Sequence, residues 1–166
     1  MTQTYSLPQV QVALPPLERF EEYLQSRKMR STRQRRVIVE EVFSNHDHFD
    51  ADDLLDQLRQ SKSDEKVSRS TVYRTLDDLV DAGLLRKMTL NGRTVFEHDY
   101  GYPQHDHLYC QKCEQLIEFH SNELEAIRAA VGREHNFRVT GHRFIITGIC
   151  SECQVARRPV RPLDLI

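Results

Sequence analysis

The sequence predicts an α+β chain, with a winged helix-turn-helix over residues 17–99 and a small α/β domain over residues 105–156. Three observations predict it. Helical apolar periodicity recurs in four successive segments and then gives way to alternation about Asn91-Gly92. A stretch with Gly and Pro and no periodicity, Asp99 to Gln104, then interrupts the chain. Beyond it, every cysteine falls into one of two Cys-x-x-Cys pairs. Residues 1–16 read as a leader, 100–104 as a hinge and 157–166 as a Pro-rich basic tail.

The elements follow in order. Leu17, Phe20, Tyr23 and Leu24 recur at spacings of three and four and define a first amphipathic helix. Thr32 caps a second, whose buried stripe is Val37, Ile38, Val42 and Phe43. Asp50 caps a third, short helix bearing Leu54, Leu55 and Leu58. A fourth runs from a Ser cap to Gly83, with Val72, Leu76, Leu79 and Val80 on one face and Arg69, Ser70, Tyr73, Arg74 and Asp77 outside. Asn91-Gly92, flanked by alternating residues, is a hairpin signal. With the first helix as an extension, three helices and a hairpin give the winged layout, and the fourth helical segment is the one that enters a DNA major groove.

Past the hinge, H-D-H-L-Y-C and L-I-E-F-H read as strands. A helix follows from Asn122 to Glu134 with Leu124, Ile127, Ala130 and Val131 inward, then a long strand from Phe137 to Cys150.

Apolar residues at 39% and charged residues at 29% exclude a disordered or fibrous chain. No window holds the roughly 18 consecutive apolar residues a membrane helix needs, and the first residues carry no secretory pattern. A cytoplasmic protein is expected, without a membrane partner. The net charge of −2 excludes a uniformly basic nucleic-acid binder. Its distribution points elsewhere: Arg27, Lys28, Arg30, Arg33, Arg35 and Arg36 come with no acid between them, a local patch suited to phosphate.

Cys110, Cys113, Cys150 and Cys153 have the spacing of a tetrahedral all-sulfur zinc shell. Two disulfides are the alternative, which the expected reducing compartment disfavours. A shell closed by four cysteines has no open position, so its Zn(2+) is structural. In a strand, His105 and His107 point one way while Gln104 and Asp106 point the other. Two imidazoles with Glu118 from the next strand make a nitrogen/oxygen set suited to divalent first-row metals. His48 and Glu97 belong to the front domain. If they join this set, one ion ties the two domains and fixes the hinge, which is otherwise free. His46, His98, His120 and His135 read as wetted surface.

S-T-V-Y-R-T-L-x-x-L-x-x-A-G-L, V-F-E, H-D-H-L-x-C-x-x-C, I-E-F and the final C-x-x-C resemble, in this order, the ferric uptake regulator family from about Leu17 to Cys153. The resemblance implies a homodimer that binds pseudo-palindromic double-stranded DNA when loaded with metal, so the α/β domain would be the dimerisation domain. It implies regulatory ligands at His48, Glu97, His105, His107 and Glu118, with His98 as the substitute for Glu97 because the hinge is a residue longer than in many members. It implies structural zinc at Cys110, Cys113, Cys150 and Cys153, and base contacts from Tyr73 and Arg74. Ser70 is placed on the same DNA face, and Arg30 stands where the family places a minor-groove cation. It also implies an additional metal site at Asp106, Glu125 and His142, weakened because Gln104 stands where many members have His.

Family members sense iron, zinc, manganese, nickel or peroxide. Here the staple uses all four cysteines, and Glu118 stands where peroxide sensors usually carry Asp. An all-nitrogen/oxygen site with two carboxylates favours Fe(2+), with Zn(2+) or Mn(2+) as the other ions. The expected function is a repressor of iron uptake genes without a small-molecule substrate. The alternatives are a zinc-, manganese- or peroxide-responsive relative, a zinc hydrolase or a metal buffer. Five donors fill a shell that a catalytic ion needs open, and the winged helix has no use in a buffer.

Overall fold

The computed structural model describes residues 10–61 and 65–155; the start of the leader and the 157–166 tail lie outside the described residues. The chain divides into two compact units between Pro103 and Gln104.

The N-terminal unit holds α1 (Pro16–Ser26), α2 (Arg33–Val42), α3 (Ala51–Gln60), α4 (Arg69–Asp81), β1 (Leu85–Leu90) and β2 (Arg93–His98). Each helix start has a local chemical cause. Pro16 begins α1 without needing an N–H, Thr32 accepts from Arg35 N–H at α2, and Ser68 accepts from Thr71 N–H at α4. α4 ends where Leu84 N–H reaches the Leu79 carbonyl and Gly83 N–H the Val80 carbonyl, with Gly83 at φ 71°. That closing pair needs a left-handed residue, which glycine supplies at no steric cost. Asn91 (φ 48°) and Gly92 (φ 79°) make the two-residue turn that sets β1 against β2, Leu90 opposite Arg93.

The apolar stripes meet in one core that includes Phe20, Leu24, Ile38, Leu54, Leu76, Leu79 and Leu85. Burial of each such side chain contributes about 1.5–3 kcal/mol before entropy is subtracted. On α2 the deepest residues are Ile38, Val39 and Val42, while Val37 is half-buried. Of the expected stripe, Ile38 and Val42 are buried and Phe43 packs against the core, while Val39 takes the deep place expected of Val37.

Asp50 closes α3 with a full capping box, accepting from Asp52 and Asp53 N–H while the Asp53 carboxylate accepts from its own N–H. It also pairs with Arg93 of the hairpin. Burial opposes ionisation of Asp50, but the Asp53 N–H, the Arg93 guanidinium and the Asp52 N–H outweigh it and hold the carboxyl below its usual range. A lowered carboxyl contributes stability above the usual carboxylate pKa and loses it as pH falls through the lowered one. Asp50→Ala should therefore cost about 1 kcal/mol in urea unfolding at neutral pH, and the gap to wild type should close on acidification below about pH 4. A gap independent of pH would remove the carboxylate from this account.

The C-terminal unit holds β3 (Asp106–Cys110), β4 (Leu116–Phe119), α5 (Asn122–Glu134), β5 (Ile145–Gly148) and α6 (Ser151–Val155). β3 is central, antiparallel to β4 and parallel to β5. Two expectations are corrected. The long strand from Phe137 to Cys150 is a strand only at Ile145–Gly148. Its parallel register pairs His107 with Ile145, and the Phe144 carbonyl accepts from His107 N–H, so residues before Phe144 run past the start of β3 and lie beyond its ladder. The inward face of α5 is not inward in a single chain: Ile127 is 59% and Val131 49% exposed, and Ala130 is exposed too. α6 was not foreseen.

Candidate metal centres and DNA face

The cysteines converge because of strand order. β3 delivers Cys110, and a tight turn returns the chain to β4, with Glu114 N–H bonded to the Cys110 carbonyl and Cys110 N–H to the Gln115 carbonyl. Glu114 takes a left-handed φ of 61° in that turn. Cys110 lies opposite Gly148 of β5, so Cys150 follows two residues on, and the first turn of α6 adds Cys153. The four sulfurs lie within 4.8 Å of one another. Cys113 Sγ and Cys150 Sγ stand 3.7 Å apart, and a tetrahedral ion with bonds of about 2.3 Å needs sulfurs roughly 3.8 Å apart. The Cys150 N–H donates to Cys110 Sγ at 3.3 Å. With further N–H groups of Cys113 and Lys112, it lowers the Cys110 thiol to about 6. Burial, and then the neighbouring sulfurs, push Cys153 up to about 12. Four sulfurs that resist joint ionisation by themselves are a set that a dication completes. The cluster fits a structural zinc site, and all four cysteines are free of disulfides.

The histidine strand is the second cluster. His107 of β3 pairs with Glu118 of β4, so their side chains share a face. The His105 and His107 rings are 4.8 Å apart, and His105 Nε2 lies 3.6 Å from Glu118 Oε1. The ligand atoms of these three residues lie within 4.8 Å of one another, and both imidazoles are buried, at 5% and 2% exposure. Polar rings so far from water require polar partners, and their donor types suit a borderline divalent ion.

In the N-terminal unit, Phe49 and Phe96 exchange backbone hydrogen bonds in an isolated antiparallel bridge. The bridge aligns His48 with Glu97, whose Oε2 lies 3.5 Å from His48 Nε2. His98, the next residue on β2, turns the other way. It stacks on Phe43, its Nε2 bonds the Val42 carbonyl, and its Nδ1 meets His46 Nδ1 at 2.9 Å. The expectation of a wetted His98 is thus corrected: at 4% exposure it is core. Alternation along a strand explains both its burial and why Glu97 rather than His98 shares the side of His48. His46 and His135 are exposed, and His120 is half-buried.

On the opposite face of β3, Asp106 and His142 come together at 3.1 Å. Arg128 reaches His142 Nδ1 at 3.4 Å, and Glu125 lies 3.9 Å from Arg128. Gln104 donates to the His142 carbonyl. The three predicted residues therefore share one chain of polar contacts, with a guanidinium between Glu125 and His142.

Arg69, Ser70, Tyr73, Arg74 and Asp77 all face outward on α4. Half of the basic run is neutralised: Arg33 pairs with Glu65, Arg35 with Asp78 and Arg36 with Glu21. Arg30 is exposed, and among the described residues neither it nor Arg74 makes an ion pair. Arg69 was passed over as a site residue. It reaches Tyr73 Oη at 3.3 Å and Asp52 Oδ1 at 2.7 Å. Its place four residues ahead of Tyr73 was the available signal.

No helix among the described residues is long and apolar enough to cross a membrane. The model of the ferric uptake regulator family matches residues 26–147. A ferric uptake regulation protein of Campylobacter upsaliensis is 31% identical over 137 residues, covering 82% of this chain and 88% of its own length. Among solved structures, the ferric uptake regulator of Vibrio cholerae superimposes with a TM-score of 0.65 at 28% identity, over 78% of this chain and 98% of that one. A zinc-bound manganese uptake regulator is 39% identical with a TM-score of 0.57, over 79% of this chain and 98% of its own.

Proposed function

We propose, from the premise that the chain belongs to the ferric uptake regulator family, that it is a cytoplasmic homodimeric repressor whose hold on double-stranded DNA is set by Fe(2+). Members of the family are metal-responsive regulators rather than enzymes, and no small-molecule substrate is proposed. The reading is carried by one observation. The same chain buries His105 and His107 beside Glu118 and leaves Ser70, Tyr73 and Arg74 exposed on a capped helix.

Each set of residues has its task. Cys110, Cys113, Cys150 and Cys153 would hold a structural Zn(2+). His48, Glu97, His105, His107 and Glu118 would hold the regulatory ion. Such an ion supplies positive charge and directional coordination. Glu97 and Glu118 accept that charge, and the buried imidazoles fix the direction. Asp106, Glu125 and His142 would form the additional, weaker site, reached only when Arg128 leaves His142. Tyr73 and Arg74 read base edges, Ser70 orients the helix end and Arg30 enters the minor groove. The open apolar face of α5, with Ile127 and Val131, suits a second copy of the chain.

A nitrogen/oxygen set with two carboxylates and no thiolate suits Fe(2+) in a reducing cell; affinity order alone puts zinc above iron, so loading with zinc in vitro does not identify the native ion. DNA binding titrated anaerobically with Fe(2+), Mn(2+) and Zn(2+), with metal content counted, tests the reading; equal binding with and without every metal overturns it. Tyr73→Ala and Arg74→Ala should erase discrimination between operator and scrambled duplex, at about 1–3 kcal/mol each. Arg30→Ala should weaken both duplexes alike and reduce the salt slope by about one, as read by binding isotherms across a salt series.

A further inference from the structure

The outward face of α4 carries one cation that the proposed function leaves without a role. Arg69 opens the helix, one turn ahead of Tyr73. Its guanidinium lies 5.6 Å from the centre of the Tyr73 ring and donates to the Tyr73 hydroxyl at 3.3 Å. On its other side it pairs with Asp52 of α3 at 2.7 Å. Both members of that pair are about two-thirds exposed, at 63% and 64%.

Asp52 is not needed to start α3. The capping box is made by Asp50 and Asp53, and only the backbone N–H of Asp52 enters it. Its carboxylate is committed to a residue of the neighbouring helix. The same pattern surrounds it: Asp77 of α4 faces Lys87 of β1, and Asp50 faces Arg93 of β2. These acids and cations line a groove of about 450 Å³ between α3, α4 and the hairpin. An acidic rim on a face that must approach phosphates is costly unless each acid has a purpose.

We propose that Arg69 is a DNA-contacting residue and that Asp52 competes with the DNA phosphate for it. This rests on the reading of α4 as the recognition helix and adds a regulator of its affinity. In the free protein Asp52 holds the guanidinium against Tyr73, so the aromatic ring is already posed. When a duplex arrives, Arg69 exchanges carboxylate for phosphate while keeping the Tyr73 contact. An exposed ion pair of this kind is weak enough to exchange, and arginine's planar fork fits either anion. The competition lowers the affinity for every duplex, and with it the hold on random sequence, whereas base contacts are untouched.

A double-mutant cycle on the full-length, metal-loaded protein tests this. The probes are a duplex selected from a random library by the wild-type protein and a scrambled duplex of the same length. Asp52→Asn should tighten binding to both. Arg69→Ala should weaken both, with a wild-type advantage that shrinks about 3.5-fold between 50 and 200 mM salt, as loss of one phosphate contact requires. In the Arg69→Ala background, Asp52→Asn should have no effect. Arg69→Lys, which keeps the charge, should retain the salt slope and lose affinity only in part. Equal tightening by Asp52→Asn with and without Arg69 would show simple long-range repulsion and overturn the inference. So would wild-type affinity and slope in Arg69→Ala. A wild-type protein that selects no duplex overturns the repressor reading as well; one that selects a duplex but fails the cycle overturns the competition alone.

Discussion

Cys110→Ser is expected to release zinc and unfold the C-terminal unit. The size of the effect follows from how little else holds that unit together. Among the described residues after the hinge, Tyr109 and Cys110 are the buried hydrophobic side chains, and the sheet has three short strands. A unit of that kind lacks the apolar burial to offset its chain entropy, and on the proposed function bound zinc and a second copy would supply the difference. Zinc bound by four cysteines contributes on the order of 10 kcal/mol to folding, and a serine oxygen replaces thiolate poorly. The expected measurements are zinc content near zero, loss of the cooperative thermal transition of this unit, and monomers on gel filtration. The N-terminal unit, with its own core, should keep its helical signal. A zinc-free variant that still melts cooperatively as a dimer would refute the staple.

The same site carries a pH signature. Cys110 is lowered to about 6 and Cys153 raised to about 12. In metal-free protein, Cys110 contributes stability above the ordinary thiol pKa and loses it as pH falls through about 6. Cys153 does the opposite, its contribution being complete below the ordinary thiol pKa and lost as pH rises toward about 12. Protons and zinc compete for the same sulfurs, so transfer of zinc to a chelator should become steadily easier on acidification, and most steeply below about pH 6, where Cys110 also takes up a proton.

Much of this organisation is legible in the sequence because it is local. Thr32, Asp50 and Ser68 act within three residues of themselves, Asn91-Gly92 closes its own turn, and Cys-x-x-Cys is a spacing within one turn. What escaped is set by partners distant in the chain. Val39 and Val37 are equally apolar, and only the packing of α2 among the other helices decides which is buried. His98 looks like any surface histidine until β2 alternation sends it under Phe43. Residues 137–143 are strand-like, but β3 begins too late to pair with them. The α5 stripe is a true amphipathic signal whose cover is absent from the single chain. His48 and Glu97 meet through the Phe49–Phe96 bridge, which no periodicity announces; the residues offered them only as a conditional addition to the set, and the resemblance then implied them as ligands. Asp52 and Arg69 join two helices, a pairing that charge counts along the chain do not reveal.

His105→Ala should leave the fold intact and abolish the response of DNA binding to metal. The two halves of this expectation have separate causes. The imidazole stands one residue before β3, beside His107 and Glu118, and belongs neither to the cysteine cluster nor to the hydrophobic core, so thermal midpoint and zinc content should stay near wild type. On the proposed function the ring is one of five donors, and its loss would leave two imidazoles and two carboxylates with a weaker and less directional hold. Even replacement of a supporting residue around a metal typically lowers affinity 10–100-fold, and removal of a ligand should exceed that. Coupling requires little energy: about 1.4 kcal/mol of difference in ion binding between DNA-competent and incompetent forms changes DNA affinity tenfold. A variant with no differential ion binding therefore has no means to transmit metal occupancy. The measurement is operator affinity with and without Fe(2+), set against His135→Ala, whose ring is exposed outside both clusters. Wild type and His135→Ala should tighten on metal addition, whereas His105→Ala should hold one weak affinity throughout. Because Cys110→Ser loses structure and His105→Ala loses only responsiveness, the pair separates the ion that builds the protein from the ion it senses. A His105→Ala protein that still tightened on DNA when given iron would place the sensing ligands elsewhere, and the Asp106–His142 face would be the first alternative to mutate.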